Sequence, residues 1–550
     1  MKALCVLYGG RLENEAFQKV LPGNESAFSL ALAAVRHFPR AEKFVLFGIE
    51  GNKYPGLPDD MEMVSRLSWT RKSFLEELSR LSVNYDFTYV AWADCPLLDP
   101  ALAALLAERH IRYGAEYTYA DGWPYGFAPE LLAAGTAGIL AKLSENDESQ
   151  VERDALFQVI QKDINAFDIE TEISPSDLRP YRLTLAADSK RNLLLLSRLL
   201  EAGLKSASDA EKFINEKPEL LRTLPAFFNI QVSSECPQVC SLCPWPIYGS
   251  KVSGDSGKPG TARGDFMSPA AFASLLDTIA EFAGDAVIDL SLWGELSLHP
   301  ERLELVRAVL SRPALSLVIE TSGIGWKPEE LLELSRIASQ AAPRKNHMAP
   351  LSWIVSLDAY NAERYKEIRG SGFSEARSCA KTLLSLFPED SYVQAVRVKE
   401  YEDDIEHFYR SWKSEELPLP PDTNSPADSP ARGNGVRRKW TDGRHIIIQK
   451  YDDFAGALPR LQASDLSPVK RRPCWHILRD MIILLDGSVP CCREDLGAIN
   501  GNGDKELLGN ALTGDISDIW ERGAALYKEH CICEYKGICK CCDEYYTYNF

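Results

Sequence analysis

The 550-residue chain contains no run of about 18 apolar residues, so nothing in it reads as a membrane-spanning helix. The opening stretch Met1–Gly10 has a short apolar run without a small-residue cleavage site, which argues against a secretion signal and makes the cytoplasm the expected location. Positive charge is in short supply: 61 Lys and Arg face 79 Asp and Glu, for a net charge of -18, and this excludes a general polyanion-coating role. Neither a nucleic-acid nor a membrane partner is expected. There is no long-period internal repeat, so no repeat architecture is expected either.

Cysteine is missing from most of the chain. Of 14, eight lie between Cys474 and Cys542 and three between Cys236 and Cys243. Disulfide scaffolds suit small secreted chains, and clustered thiols in a large chain without a secretion signal point instead to metal. The remaining composition, 45% hydrophobic and 25% charged, is that of an ordinary globular protein. The length suggests about two to four domains.

Three regions are expected. Residues 1–207 alternate apolar strands (Ala3–Tyr8, Lys43–Phe47, Phe87–Ala93) with helical stretches such as Ser26–His37, which predicts a Rossmann-like, three-layer α/β domain. Its ligands would sit at the carboxyl ends of the strands. Residues 208–457 carry six strand-like runs: Phe228–Val232, Ala286–Leu292, Leu315–Glu320, Trp353–Leu357, Tyr392–Val398 and His445–Gln449. Helical patterns separate most of them, which predicts a partial (β/α)6 barrel of the TIM type. Leu417–Gly435, rich in Pro, Ser, Asp and Asn, reads as a flexible excursion. Residues 458–550 form a short Cys-rich region whose own core looks too small to be stable without metal.

Directly after the first barrel strand comes Cys236-Pro-Gln-Val-Cys240-Ser-Leu-Cys243. Three thiolates on one short loop can bind three irons of a [4Fe–4S] cubane and leave the fourth iron open to a ligand. A structural zinc site borrowing a fourth ligand is the competing reading, although zinc loops favour paired C-x2-C knuckles.

With these residues the second region resembles the radical S-adenosylmethionine (SAM) superfamily. Further motifs follow at successive strand ends, where a barrel places its chemistry. Ser291-Leu-Trp293-Gly294-Glu295 resembles the family's GGE motif, with Trp293 in place of its first glycine. Ser322 in Glu320-Thr-Ser322-Gly323, Asp358 in Ser356-Leu-Asp358, and Gln394 and Arg397 on the fifth strand match positions near SAM; Tyr365-Lys-Glu-Ile-Arg369-Gly is also similar. The resemblance implies that Cys236, Cys240 and Cys243 hold the cluster. It implies that Gly294, Glu295, Ser322, Asp358 and Arg397 contact SAM. Reductive cleavage of SAM to a 5′-deoxyadenosyl radical would then be followed by hydrogen abstraction from a peptide or saccharide-related substrate. An electron donor such as flavodoxin or ferredoxin is implied as a partner.

The third region resembles the SPASM extension in Cys474, Asp486-Gly487-Ser-Val-Pro490-Cys491-Cys492 and Cys531-Ile-Cys533…Cys539…Cys542. The resemblance implies one auxiliary [4Fe–4S] cluster on Cys474, Cys492, Cys539 and Cys542, with Cys491 competing with Cys492. Cys531, Cys533 and Cys541 could form a second, incomplete cluster, and structural zinc is the other reading. The first region is similar to sugar-nucleotide cytidylyltransferases through Leu7-Tyr-Gly9-Gly10-Arg11, Lys19-Val-Leu-Pro22 and Ala93-Asp94-Cys95-Pro96. That likeness gives Asp94 a Mg2+ role. Tyr181–Leu185 resembles the strand before a second metal aspartate, but Ala186 stands at that place, Asp188 follows two residues later and Glu13 and Glu15 lie in the glycine loop, so a degenerate domain that does not transfer nucleotidyl groups is expected. The linear fusion of all three regions resembles the spiro-SPASM group. Two functions compete with radical chemistry: a sugar-nucleotide nucleotidyltransferase with an accessory barrel, and a metal-stapled scaffold without catalysis.

Overall fold

A computed structural model describes residues 1–247, 265–417, 438–439, 443–463, 470–499 and 507–546. Most of the proposed excursion Leu417–Gly435 lies outside the described residues. The chain forms two compact units, Met1–Thr223 and Leu224–Phe550. The first therefore extends past residue 207, and the second contains both the barrel and the Cys-rich region. Among the described residues no helix is long and apolar enough to cross a membrane.

The first unit is built on a seven-stranded sheet in the order β3 (Met61–Arg66), β2 (Ala41–Ile49), β1 (Ala3–Tyr8), β4 (Phe87–Trp92), β6 (Glu130–Ala133), β5 (Tyr117–Asp121), β7 (Ile169–Ile173). Strands β1 to β4 pair in parallel, and β6 runs antiparallel to both neighbours. All six residues of β1 and of β4 are buried, as expected for central parallel strands covered on both faces. Local signals fix the helices. Ser26 and Ser29 form a capping box on helix Ala27–Val35, and Asp99 caps helix Pro100–Tyr113, which stops at Gly114 with φ +64°. The expected strand Tyr181–Leu185 is not regular: Arg179–Tyr181 is a 3-10 turn, Arg182 is left-handed, and only Thr184 bridges to Tyr125.

The second unit contains the six expected barrel strands, β8 (Phe227–Ile230), β9 (Ala286–Asp289), β10 (Leu315–Thr321), β11 (Leu351–Ser356), β12 (Ser391–Arg397) and β15 (Ile446–Lys450); between the last two, β13 (Glu416–Leu417) pairs with β14 (Arg438–Lys439) as a short ribbon. A seventh strand, β16 (Asp480–Ile483), pairs in parallel with β8, so the sheet runs β15-β12-β11-β10-β9-β8-β16. The Cys-rich region thus supplies one edge of the barrel wall. Its ribbon of β17 (Ser488–Val489) and β18 (Gly509–Asn510) and its helix Ile516–Arg522 bury Val489, Ala511, Ile519 and Trp520 in the same core as Phe228, Phe272 and Trp353. Hydrophobic burial against the barrel therefore contributes to the stability of this region.

Candidate functional site

A cavity of about 250 Å3 opens at the carboxyl ends of the barrel strands. Its lining brings together Cys236, Cys240, Cys243, Gly294, Glu295, Ser322 and Asp358, drawn from four successive strand ends. Sequence order scatters these residues, and parallel topology collects them on one rim.

The cysteine loop is tied to the segment after β11. Ser241 N–H donates to Ile368 O at 2.8 Å, and Gln238 Nε2 donates to the Tyr365 hydroxyl at 2.7 Å. Arg369 reaches Gln238 Oε1 at 3.2 Å and lies 3.9 Å from Cys240 Sγ. Burial pushes the Cys236 and Cys243 thiols up to about 12, and each of these thiols also feels the Cys240 charge. Burial raises Cys240 as well, while Arg369 pulls it down. Among the described residues no three His, Cys, Asp or Glu side chains gather closely enough to hold a single metal ion. A cubane spreads its thiolates around a wider body, and three sulfurs on one cavity wall fit that requirement.

Glu295 is 4% exposed. Its two oxygens accept from Thr321 Oγ1 at 2.6 Å and from the Ser322 N–H at 2.8 Å. Burial raises its pKa, and these two bonds oppose the rise. Gly294 admits no side chain: a Cβ there would fall 1.9 Å from Ser233 O. Trp293 has φ +40°, a left-handed conformation that favours glycine, and its ring lies parallel to Trp245 with centroids 6.2 Å apart. Asp358 is also left-handed, at φ +57°. Its carboxylate accepts from the Val396 N–H at 2.7 Å and from Arg369 Nε at 2.5 Å.

Arg397 stands apart from the other expected SAM-contacting residues. It does not line this cavity and instead pairs with Glu402 at the surface, its side chain 41% exposed. Side chains alternate along a strand, so Gln394 and Arg397 lie on opposite faces of β12. Gln394 takes the inner face and donates to Glu320 Oε1 at 2.8 Å, beside a 2.5 Å bond from Ser356 Oγ to the same oxygen.

Several lining groups escaped the motif reading: Gln238, Asp289, Asp452 and Arg493. Asp289 ends β9 and accepts from the Ser291 N–H at 3.0 Å; burial raises its carboxyl to about 7. A carboxylate closing an otherwise apolar strand was the available signal. Arg493, next to Cys492, pairs with Asp452 at 3.1 Å and Glu494 at 2.9 Å, so the Cys-rich region contributes to the cavity wall.

The four C-terminal cysteines assigned by resemblance are electrostatic neighbours. Cys474, raised to about 12 by burial, also feels Cys539, and Cys492 feels Cys474 and Cys542. Backbone N–H groups of Glu494 and Glu544 donate to the sulfurs of Cys492 and Cys542 at 3.5 and 3.3 Å. Burial raises both of these thiols above their usual range, and these two bonds oppose the rise. Cys533 and Cys541 are exposed, and all fourteen cysteines are free of disulfides.

Fold and cavity together define a chain whose parallel barrel-type sheet carries a three-cysteine loop at its strand ends. It belongs to one family with an uncharacterized protein of Treponema pallidum (strain Nichols), 33% identical over 402 residues that span 72% of this chain and 98% of the relative. A second uncharacterized protein of that organism is 36% identical over 70 residues, 13% of this chain and 32% of its own length. No protein-family model matches the chain. Among solved structures it is similar to BtrN in complex with AdoMet and 2-DOIA (16% identity, TM-score 0.33, 58% of this chain and 93% of BtrN). It is also similar to Streptococcus suis SuiB bound to precursor peptide SuiA (12%, 0.36, 58% and 71%). A third similar structure is a cytidylyltransferase from Leptospira borgpetersenii (16%, 0.33, 40% and 96%).

Proposed function

We propose that the second unit is a radical SAM enzyme, with Cys236, Cys240 and Cys243 holding a [4Fe–4S] cluster. The observation that carries this reading is the single cavity shared by those three thiols, Gly294-Glu295, Ser322 and Asp358. When bound, the cluster would supply one electron for reductive cleavage of SAM to a 5′-deoxyadenosyl radical. The chain's own residues bind and orient. Glu295, held by Thr321 and Ser322, keeps a fixed carboxylate at the cavity for the SAM ammonium group. Gly294 leaves no room for a Cβ beside Ser233 O, and the Glu295 N–H donates to Glu235 O at 2.7 Å, so the glycine turn is tied to the segment that leads into the cysteine loop. Arg369 braces the loop through Gln238. Asn229, Asp289, Glu320, Ser356 and Gln394 give the cavity a polar wall suited to a substrate bearing hydroxyl or amide groups, peptide or saccharide-related. Cys474, Cys492, Cys539 and Cys542 would hold one auxiliary cluster, and a flavodoxin or ferredoxin would deliver the electron. The test is anaerobic reconstitution of the full chain with iron and sulfide, followed by SAM and dithionite. Formation of 5′-deoxyadenosine is expected; its absence from protein with a full iron complement would reject the proposal.

A further inference from the structure

In the first unit β1 and β4 are neighbours, with β2 and β3 on one side and the remaining strands on the other. The winding reverses between β1 and β4, and open α/β sheets bind ligands at the carboxyl ends of such a pair. Here β1 runs into Gly9-Gly10 and β4 into Ala93-Asp94.

That position is already filled. Asp94 is fully buried and accepts from both terminal nitrogens of Arg153, at 2.7 and 3.2 Å. The same Arg153 Nη2 donates to Asp188 at 2.9 Å. Asp188 is brought there because Ala187 N–H donates to Asp94 O at 2.9 Å, and Asn192 Nδ2 holds its other oxygen at 2.8 Å. The guanidinium lies 4.6 Å from the Trp92 ring centre and 4.9 Å from that of Tyr125. Beside the glycine loop the space is equally occupied: a Cβ on Gly10 would fall 2.6 Å from Trp69 and 2.7 Å from the Tyr8 hydroxyl.

Two carboxylates converging on one point at a ligand-binding sheet end are a donor set for a divalent cation. We infer that Arg153 is an internal cation occupying a divalent-cation site formed by Asp94 and Asp188, so that the first unit as it stands performs no metal-dependent nucleotidyl transfer. A Mg2+ ion would have to displace a guanidinium held by three charge-assisted bonds and two ring contacts. Ala186, fully buried, offers no replacement ligand. The sequence likeness that gave Asp94 a Mg2+ role thus meets residues that do not fit the metal. This inference is independent of the chemistry proposed for the second unit.

The test titrates Mn2+ alone into the full chain, with free Mn2+ read by electron paramagnetic resonance. Wild type and Asp94→Asn are expected to bind Mn2+ identically. Arg153→Ala is expected to gain one saturable Mn2+ per chain, lost again when Asp94→Asn or Asp188→Asn is added. Arg153→Met fills the space beside the rings without charge and is expected to gain the same site; Arg153→Lys is expected to match wild type. A wild-type Mn2+ site that Asp94→Asn removes would overturn the inference. So would folded Arg153→Ala or Arg153→Met protein, judged by circular dichroism, that gains none.

Discussion

Arg369 donates its Nε to Asp358 at 2.5 Å, with the Asp358 side chain 2% and the Arg369 side chain 13% exposed. The pair joins the end of β11 to the cysteine loop, because the same guanidinium reaches Gln238 and lies near Cys240. Removing one member leaves the other charge buried, which costs about 3–5 kcal/mol. Arg369→Met should therefore lower the unfolding free energy of the second unit by that order, and Asp358→Asn/Arg369→Met by less than the sum of the two single changes. Urea denaturation of all four proteins measures the coupling. Additive losses would show that the pair does not act as a unit.

Replacing Cys236, Cys240 and Cys243 together by Ala should abolish 5′-deoxyadenosine formation under dithionite. About four irons per chain should remain, the content of one cubane on the C-terminal cysteines. Iron and zinc are counted in the purified variant. Unchanged deoxyadenosine formation would contradict the assignment of the loop, and stoichiometric zinc without iron would contradict the auxiliary cluster.

Much of this site was legible in sequence because its signals are local. The C-x3-C-x2-C spacing and the apolar runs before Gly294-Glu295, Ser322 and Asp358 need only a few neighbouring residues to be read. What escaped depends on distant partners. The strand Asp480–Ile483 is only four residues long and is defined by pairing with Phe227–Ile230, far away in the chain. Arg153 joins Asp94 to Asp188 through contacts that no spacing rule encodes. Arg397 lies away from the cavity because its odd separation from Gln394 puts it on the other face of β12.

That placement gives its own test. Arg397→Ala removes an exposed ion pair with Glu402, so stability should change by about 0–1 kcal/mol and SAM cleavage should be unchanged. Gln394→Ala removes a buried donor to Glu320 and should cost about 1–3 kcal/mol. Thermal unfolding and deoxyadenosine assays of both variants check the contrast; a larger effect from Arg397→Ala would reverse the assignment of faces.

Gly294→Ala should be poorly tolerated, since the added Cβ meets backbone and not a flexible side chain. Overpacking costs about 1–3 kcal/mol or more, and the turn carrying Glu295 would shift with it. Weaker SAM binding by calorimetry, beside a lowered melting temperature, is expected. Wild-type affinity in the variant would show that the turn relaxes without moving Glu295.

His110 should contribute a loss of stability to the first unit in mild acid, opposed there by Glu130, whose carboxyl burial raises to about 7. His110 lies in the last turn of helix Pro100–Tyr113, is 3% exposed, and its Nδ1 lies 2.8 Å from Thr118 Oγ1. Burial lowers its pKa from 6.5 to about 4. The folded value lies below the unfolded one, so as pH falls the unfolded chain takes up the proton first. The stabilisation is complete above the unfolded pKa and is lost as pH falls from about 6.5 through about 4, by up to about 3 kcal/mol. His110→Asn removes the titrating group, so the variant's melting temperature should fall less, or rise more, than the wild type's as pH is lowered through that window, though from a lower value near neutrality. Thermal melts of the full chain and the variant at several values from pH 7 to pH 4 make the comparison. Parallel changes in the two proteins would assign the acid sensitivity to other groups.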